Sequence, residues 1–417
     1  MSFGIYIHWP YCLSKCPYCD FYKEVRKDIN QEDIINSYIA DLDFYYSLTA
    51  NREVTSIFFG GGTPSLIKPS LVAKIINHIF KKWKTSSDVE ISLEANPNSH
   101  YPNMFSQLRS AGINRLSLGV QALDDNDLRF LGRTHSLSQA YQAIDAVLHN
   151  FDNHSIDLIY ARPQQKLENW IRELKKAASL GLKHVSLYQL TIEPNTVFAR
   201  KNIQLPDDVV ATEMYLATET ELSYFGYKKY EVSNYAQSGF ASKHNLIYWT
   251  GGEYIGIGPS AHGRLTCFDG NLEQNSDARN SRTDLYAQVS VLRDFTLSSS
   301  SKHVKPSENG KLEQNFDARN SLIKNRRFYA TTHRCQLEEI SCEERAEELL
   351  LMGLRLVDGI NKADFMNICG IDIHDFINQK HFQSLKQDGY IKEDEKNIQV
   401  AAKGFPILDF ITLQLVS

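Results

Sequence analysis

The chain has 417 residues and an ordinary globular composition, 42% hydrophobic, 11% aromatic and 23% charged, which is enough for one large core and an appended domain. A net charge of −5 argues against nucleic acid or another polyanion as partner, because no basic stripe is present to displace phosphate counterions. No apolar run reaches the roughly 18 residues needed to cross a bilayer. The N-terminus opens into a strand rather than an export signal, so the expected compartment is the cytoplasm and no integral membrane segment is expected.

Short runs rich in β-branched and aromatic residues recur along the first half: "FGIYIHW" (3–9), "VTSIFF" (54–59), "VEISLEA" (89–95), "INRLSLGV" (113–120), "HSIDLIY" (154–160) and "HVSLYQL" (184–190). Between them, 33–48, 70–83, 138–148 and 169–182 carry helical periodicity, and another helix is expected near 208–225. Six strand–helix units predict an α/β fold, a partial (β/α)6 barrel with parallel strands and right-handed crossovers over residues 1–230. Each strand ends in, or just before, polar groups out of place in a core: His8, "GGGTP" (60–64), Glu94, Gln121, Asp157 and Gln189. In parallel barrels the chemistry sits at the carboxyl ends of the strands, so these six point to one site.

Beyond residue 230 the periodicity weakens, and 231–269 is expected to be a connecting segment. "GNLEQNSDARNS" (270–281) recurs as "GKLEQNFDARNS" (310–321), ten of twelve positions being identical. Two copies are too few for a solenoid. The polar, Asn- and Ser-rich composition of 270–335 predicts a mostly exposed, partly disordered insert without chemistry. Residues 336–417 read as a mostly helical, winged-helix-like domain, with helices over "EERAEELLLMGLRL", "FMNICG" and "IHDFINQKHFQSLKQDG" and a hairpin over "YIKEDEKNIQVAAKG".

Seven cysteines, an odd count, do not suggest a disulfide framework, and Cys267, Cys335, Cys342 and Cys369 are expected to be ordinary reduced thiols. Cys12, Cys16 and Cys19 stand apart, clustered in "GIYIHWPYCLSKCPYCDFY" (4–22) directly after the first strand. A structural zinc site closes with four ligands, and His8 is one candidate fourth ligand. A [4Fe–4S] cluster held by three thiolates instead leaves one iron open for an exchangeable ligand with an amine and a carboxylate. "GGGTP" ends the second strand with glycines that let backbone approach a ligand closely.

Taken in order, "CLSKCPYCDF", "GGGTPS", "LEANP", "LSLGVQ", "LGRTH" and "DLIY" resemble the radical S-adenosylmethionine superfamily. Within it they are most similar to the branch of oxygen-independent coproporphyrinogen III dehydrogenase and the HemW-type haem chaperones, over 3 to about 265 and again from about 343 to the end. The resemblance implies that Cys12, Cys16 and Cys19 ligate a [4Fe–4S] cluster. It also implies that Tyr6, Gly61, Gly62, Thr63, Glu94, Gln121, Arg133 and Asp157 contact S-adenosylmethionine. "DLIYARP" departs from the family pattern, with Ala161 and Arg162 where relatives have Gly-Leu.

Two absences separate this chain from the dehydrogenases of that branch, which carry a fourth cysteine two residues after the third and an extension before the cluster motif. Phe21 occupies the cysteine's position, and Cys12 arrives almost at once. "HNLIYW" (244–249) resembles the chaperones' haem-binding motif: it implies His244 as an axial ligand of haem iron, with Tyr248 and Trp249 against the macrocycle. His262, in "YIGIGPSAHG", is a second histidine for which an ordinary loop role is expected. The implied activity is haem binding and transfer to an acceptor haem protein, respiratory and membrane-associated, with the cluster governing transfer or homodimer formation. The alternative is a radical enzyme acting on a porphyrin.

Overall fold

A computed structural model describes residues 2–26, 28–99, 103–268, 284–292, 329–330 and 333–416. Six strand–helix units run in sequence: β1 (Phe3–Trp9) with α1 (Gln31–Thr49), β2 (Glu53–Gly61) with α2 (Pro69–Lys82), β3 (Lys84–Ala95) with α3 (Met104–Ser110), β4 (Arg115–Gln121) with α4 (Leu137–Asn150), β5 (Asn153–Tyr160) with α5 (Leu167–Ala178), and β6 (His184–Gln189) with α6 (Asp208–Ser223). The six strands pair in chain order, every ladder parallel. The chain then adds β7 (Lys228–Glu231), β8 (Asn234–Ala236), α7 (Lys243–Trp249), β9 (Glu253–Ile257) and β10 (His262–Phe268).

Alternation along β1 explains the layers. Ile5 and Ile7 are fully buried in the main core, whereas Tyr6 and His8 project from the opposite face, as the two-residue period of a strand requires. α2 shows the matching helical logic: Leu71, Val72, Ile75, Ile76 and Ile79 are buried, a stripe of helical spacing. Burying each such side chain contributes about 2 kcal/mol relative to leaving it in water. Pro69 opens that helix where its missing N–H costs nothing.

The connecting segment 231–269 turns out to be part of the sheet. β9 lies beside β1, parallel to it and in register from Phe3↔Glu253 to Ile7↔Ile257, and β8 pairs antiparallel with β6. Within the segment read as a polar insert, "DLYAQVSVL" forms β11 (Asp284–Leu292), which pairs antiparallel with both β10 and β12 (His333–Ile340). Its period-two pattern was masked by polar neighbours in a compositional reading. Both copies of the twelve-residue repeat, with Leu272 and Leu312, lie outside the described residues.

The C-terminal domain has its own core, around Ala346, Leu350, Phe365, Ile373, Phe382 and Ile411. α8 (Cys342–Gly353) begins with a capping box between Ser341 and Glu344. Short helices follow, and the expected hairpin pairs Ile391–Glu393 with Asn397–Val400. The domain docks on the barrel through Arg264 and Glu348 at 2.7 Å, Arg345 Nη2 donating to the Gly251 carbonyl at 2.6 Å, and the Val357 N–H donating to the Tyr230 carbonyl at 3.1 Å. α7 sits at this joint.

Candidate functional site

The loop after β1 carries the three cysteines onto the carboxyl ends of the strands, where a cavity of about 370 Å³ opens. Cys12, Cys16 and Cys19 all line it, none in a disulfide, together with Gly61, Gly62, Thr63, Glu94, Gln121, Arg133, Asp157 and Gln189. Five of the six polar strand ends therefore meet in one place. His8 does not.

Hydrogen bonds tie the cysteine loop to the strand ends. Thr63 Oγ1 lies 3.5 Å from Cys12 Sγ and accepts from Asn96 Nδ2 at 3.0 Å. Arg133 Nη1 reaches Cys16 Sγ at 3.5 Å, and its Nη2 donates to the Gly119 carbonyl at 2.8 Å and to Asn96 Oδ1. A Cβ on Gly62 would meet backbone atoms of Trp9, Pro10 and Tyr11 at 2.8 Å, so only glycine lets the two loops approach this closely. Gln121 adopts a left-handed φ of 76° at a bulge in β4, the strain expected of a ligand-facing position.

Two carboxylates share the cavity. Glu94 Oε2 accepts from the Gly61 N–H at 3.2 Å, and burial followed by the charge of Asp157 raises its pKa to about 8. Asp157 Oδ1 accepts from Ser117 Oγ at 3.0 Å, and burial raises its pKa also. Two buried acids, one of them opposed by the charge of the other, make a seat for a cation or for hydroxyl donors. Burial likewise raises the thiol pKa of Cys12, which a bound metal would reverse.

The donor set discriminates between metal groups. Among the described residues, no three His, Cys, Asp or Glu side chains converge tightly enough to hold a single ion. His8 cannot complete a zinc site as placed: its Nδ1 bonds Tyr6 Oη at 2.9 Å and its Nε2 the Tyr22 carbonyl at 3.1 Å. A four-iron cubane takes each thiolate on a different iron and so spaces its ligands more widely than one ion does. Three thiols around one roomy cavity fit the cluster.

Tyr6, expected among the cofactor contacts, is not in the lining. It sits one layer down the barrel interior, beneath Gly60 and bonded to His8, because residues two apart on a strand share a face. Asn96, Tyr188 and Glu193 line the cavity without having been singled out. Asn96 and Tyr188 also lie at strand ends, the same positional signal that marks the others.

The helix α7 is built differently. Ser242 caps it, and Glu90 on β3 accepts from Ser242 Oγ at 3.4 Å and from the Lys243 and His244 N–H groups at 3.1 and 3.3 Å. No sequence signal marks Glu90. His244 is 1% exposed: Nδ1 bonds Ser56 Oγ at 2.7 Å, Nε2 bonds Tyr248 Oη at 2.8 Å, and the ring stacks on Phe58 at 5.0 Å. Burial, then the charge of Arg115, lowers its pKa to about 3, so the imidazole is neutral. Its expected role as a haem ligand therefore requires Tyr248 to release Nε2. Trp249 is half-buried beneath the Arg355 guanidinium, 5.2 Å from its ring, and His262 is exposed at the start of β10.

The Radical SAM superfamily profile matches residues 6–177 and that of the HemN C-terminal domain residues 340–407. The chain is 38% identical over 306 residues to "Heme chaperone HemW" of Buchnera aphidicola subsp. Schizaphis graminum, covering 73% of this chain and 80% of that protein. It is 38% identical to the Escherichia coli protein of the same name, covering 67% and 74%. To "Radical S-adenosyl methionine domain-containing protein 1, mitochondrial" of Bos taurus it is 31% identical, over 99% and 87%. The solved structure of coproporphyrinogen III oxidase (HemN) from Escherichia coli shares the fold, with a TM-score of 0.73 over 100% of this chain and 90% of that one, at 19% identity. The chain belongs to the radical SAM superfamily and, within it, to the family of the HemW-type haem chaperones.

Proposed function

We propose that the chain binds haem and passes it to acceptor haem proteins, with a [4Fe–4S] cluster on Cys12, Cys16 and Cys19 and S-adenosylmethionine exchangeable at the open iron. The observation that carries this reading is the single cavity onto which the three thiols, Gly61, Gly62, Thr63, Glu94, Gln121, Arg133 and Asp157 converge, in a chain whose relatives are named haem chaperones. Phe21 holds the position two residues after Cys19 and is 67% exposed, so no fourth thiol stands there.

Within the cavity each residue has a definite task. Gly61, Gly62 and Thr63 receive the methionyl group against bare backbone; Arg133 pairs with its carboxylate; Glu94, Asp157 and Gln121 accept from or donate to its amine and the ribose hydroxyls. Bound there, cluster and S-adenosylmethionine supply one-electron chemistry. On α7, Ser56 keeps Nδ1 of His244 bonded, leaving Nε2 as the atom for haem iron once Tyr248 yields it. Trp249 and Tyr248 then cover part of the macrocycle. The proposed compartment is the cytoplasm, the acceptor a respiratory haem protein at a membrane, and a homodimer the assembly through which the cluster governs transfer. Among the described residues no helix is long and apolar enough to cross a membrane.

The completeness of the cofactor cavity favours one second reading, a radical enzyme that turns over a porphyrin. Anaerobic reconstitution with iron, sulfide and haem separates the two. The chaperone gives a Soret band and no decarboxylated product; conversion of coproporphyrinogen III with release of 5′-deoxyadenosine overturns it.

A further inference from the structure

Behind the cavity lies an ion-pair network that takes no part in lining it. Arg162, 2% exposed, directs Nη2 at Glu173 Oε2 on α5 (2.5 Å) and at Asp127 Oδ2 (2.8 Å), and Nη1 at the Ile159 carbonyl (2.5 Å). Glu173 also accepts from the Leu123 N–H at 2.7 Å and from Gln165 Nε2 at 3.3 Å. The network thus grips 121–133, the segment that leaves β4, at two points: its start through Leu123 and its middle through Asp127.

Both ends of that segment face the site. At one end is Gln121, in its left-handed bulge. At the other, Gly132, with φ 66°, lies so close to the cysteine loop that a Cβ would meet Pro17 Cδ at 2.5 Å. Next to it, Arg133 reaches Cys16 Sγ and the Gly119 carbonyl. The backbone also turns sharply where the network originates, Ala161 taking a left-handed φ of 55° that alanine adopts only at a cost. A buried arginine with two carboxylate partners on separate elements holds those elements in one geometry.

We infer that Arg162 is a positioning residue for Arg133, setting through Asp127 and Glu173 where the 121–133 segment presents its guanidinium to S-adenosylmethionine. The inference rests on the cofactor assignment proposed above. Arg162→Leu alone strands the buried carboxylate of Glu173 and leaves the half-buried Asp127 without its partner, so the informative variant is Asp127→Asn/Arg162→Leu/Glu173→Gln, in which no charge is left unpaired.

The test uses the full chain with its cluster reconstituted, and three readouts: iron content, thermal stability of the cluster-free protein, and the electron paramagnetic resonance spectrum of the reduced cluster during titration with S-adenosylmethionine. The triple variant is expected to load iron as the wild type does, yet to bind S-adenosylmethionine about tenfold more weakly, the loss of roughly one charge-assisted hydrogen bond. Its ligand-bound spectrum should differ from the wild type's, and Arg162→Lys should recover part of the affinity. Wild-type affinity and spectrum in the triple variant overturn the inference. Arg133→Ala is the control. If it weakens binding while the triple variant does not, only the positioning role falls; if Arg133→Ala is itself without effect, the cofactor assignment falls, and the positioning role with it.

Discussion

The cofactor cavity and the α7 helix place polar groups in opposite situations. In the cavity, polar groups are left unmatched: burial and then the charge of Asp157 raise the pKa of Glu94, burial raises that of Asp157, and among the described residues the buried Nε of Arg133 has no partner. Around His244 everything is matched, each ring nitrogen bonded and the ring stacked on Phe58 and Tyr6. A site whose groups oppose one another is relieved by a ligand, whereas a site whose groups satisfy one another must break bonds to admit one. The cavity is poised to bind; α7 is closed until something opens it.

The largest effect expected is on the cluster itself. Replacing Cys12, Cys16 or Cys19 by Ala should abolish the broad cluster absorption after anaerobic reconstitution while haem titration is unchanged, whereas His244→Ala should weaken haem binding or shift its Soret maximum and keep the cluster. Loss of both signals in either variant would merge the two regions into one site.

The carboxylate pair provides a pH signature for the cavity. The folded pKa of Glu94, about 8, lies above its ordinary value of 4.5, so the folded chain holds that proton more tightly than the unfolded one. Its contribution to stability is complete below 4.5 and is lost as pH rises to about 8. Denaturant melts of the cluster-free protein between pH 5 and 8.5 should show stability falling with pH, and Glu94→Gln should flatten that slope. An unchanged slope would mean that Glu94 is not the buried acid that holds this proton.

A third expectation concerns the packing that closes the cavity floor. Gly62→Ala pushes a methyl group against three stretches of backbone that have no rotamer to yield, and should cost about 3 kcal/mol in thermal unfolding. Neutrality would show that the two loops do not pack this closely.

The smallest effects belong to α7 and sharpen the comparison most. Ser56→Ala leaves Nδ1 of the buried imidazole unpaired and should cost about 1–2 kcal/mol of stability. Tyr248→Phe frees Nε2; it should lower stability by a similar amount yet raise haem affinity, because the hydroxyl no longer competes with iron. Weaker haem binding in Tyr248→Phe would instead make that hydroxyl part of the haem contact.

Much of the cavity was legible because its residues obey local rules. Glu94, Gln121, Asp157 and Gln189 each stand at or near the carboxyl end of a strand whose period-two pattern is plain, and the parallel order of six strands gathers those ends at one mouth. His8 passes the same positional test, yet its ring turns to the Tyr22 carbonyl, a contact across 14 residues that no local pattern encodes. Arg162 was visible only as a departure from the family pattern, and nothing in sequence paired it with Asp127 and Glu173.

The sequence by itself determined the three-thiol loop, the six strand–helix units and the chemical character of the strand ends, since spacing and periodicity are properties of neighbouring residues. Only the tertiary structure decided that β9 joins the sheet beside β1, that Glu90 clamps the first turn of α7, and that His244 is sealed by Ser56 and Tyr248. Glu90 and His244 meet across 154 positions of chain, and Ser56 and His244 across 188. Pairings of that range are fixed by which faces the barrel buries against one another, and burial is settled by the whole fold at once.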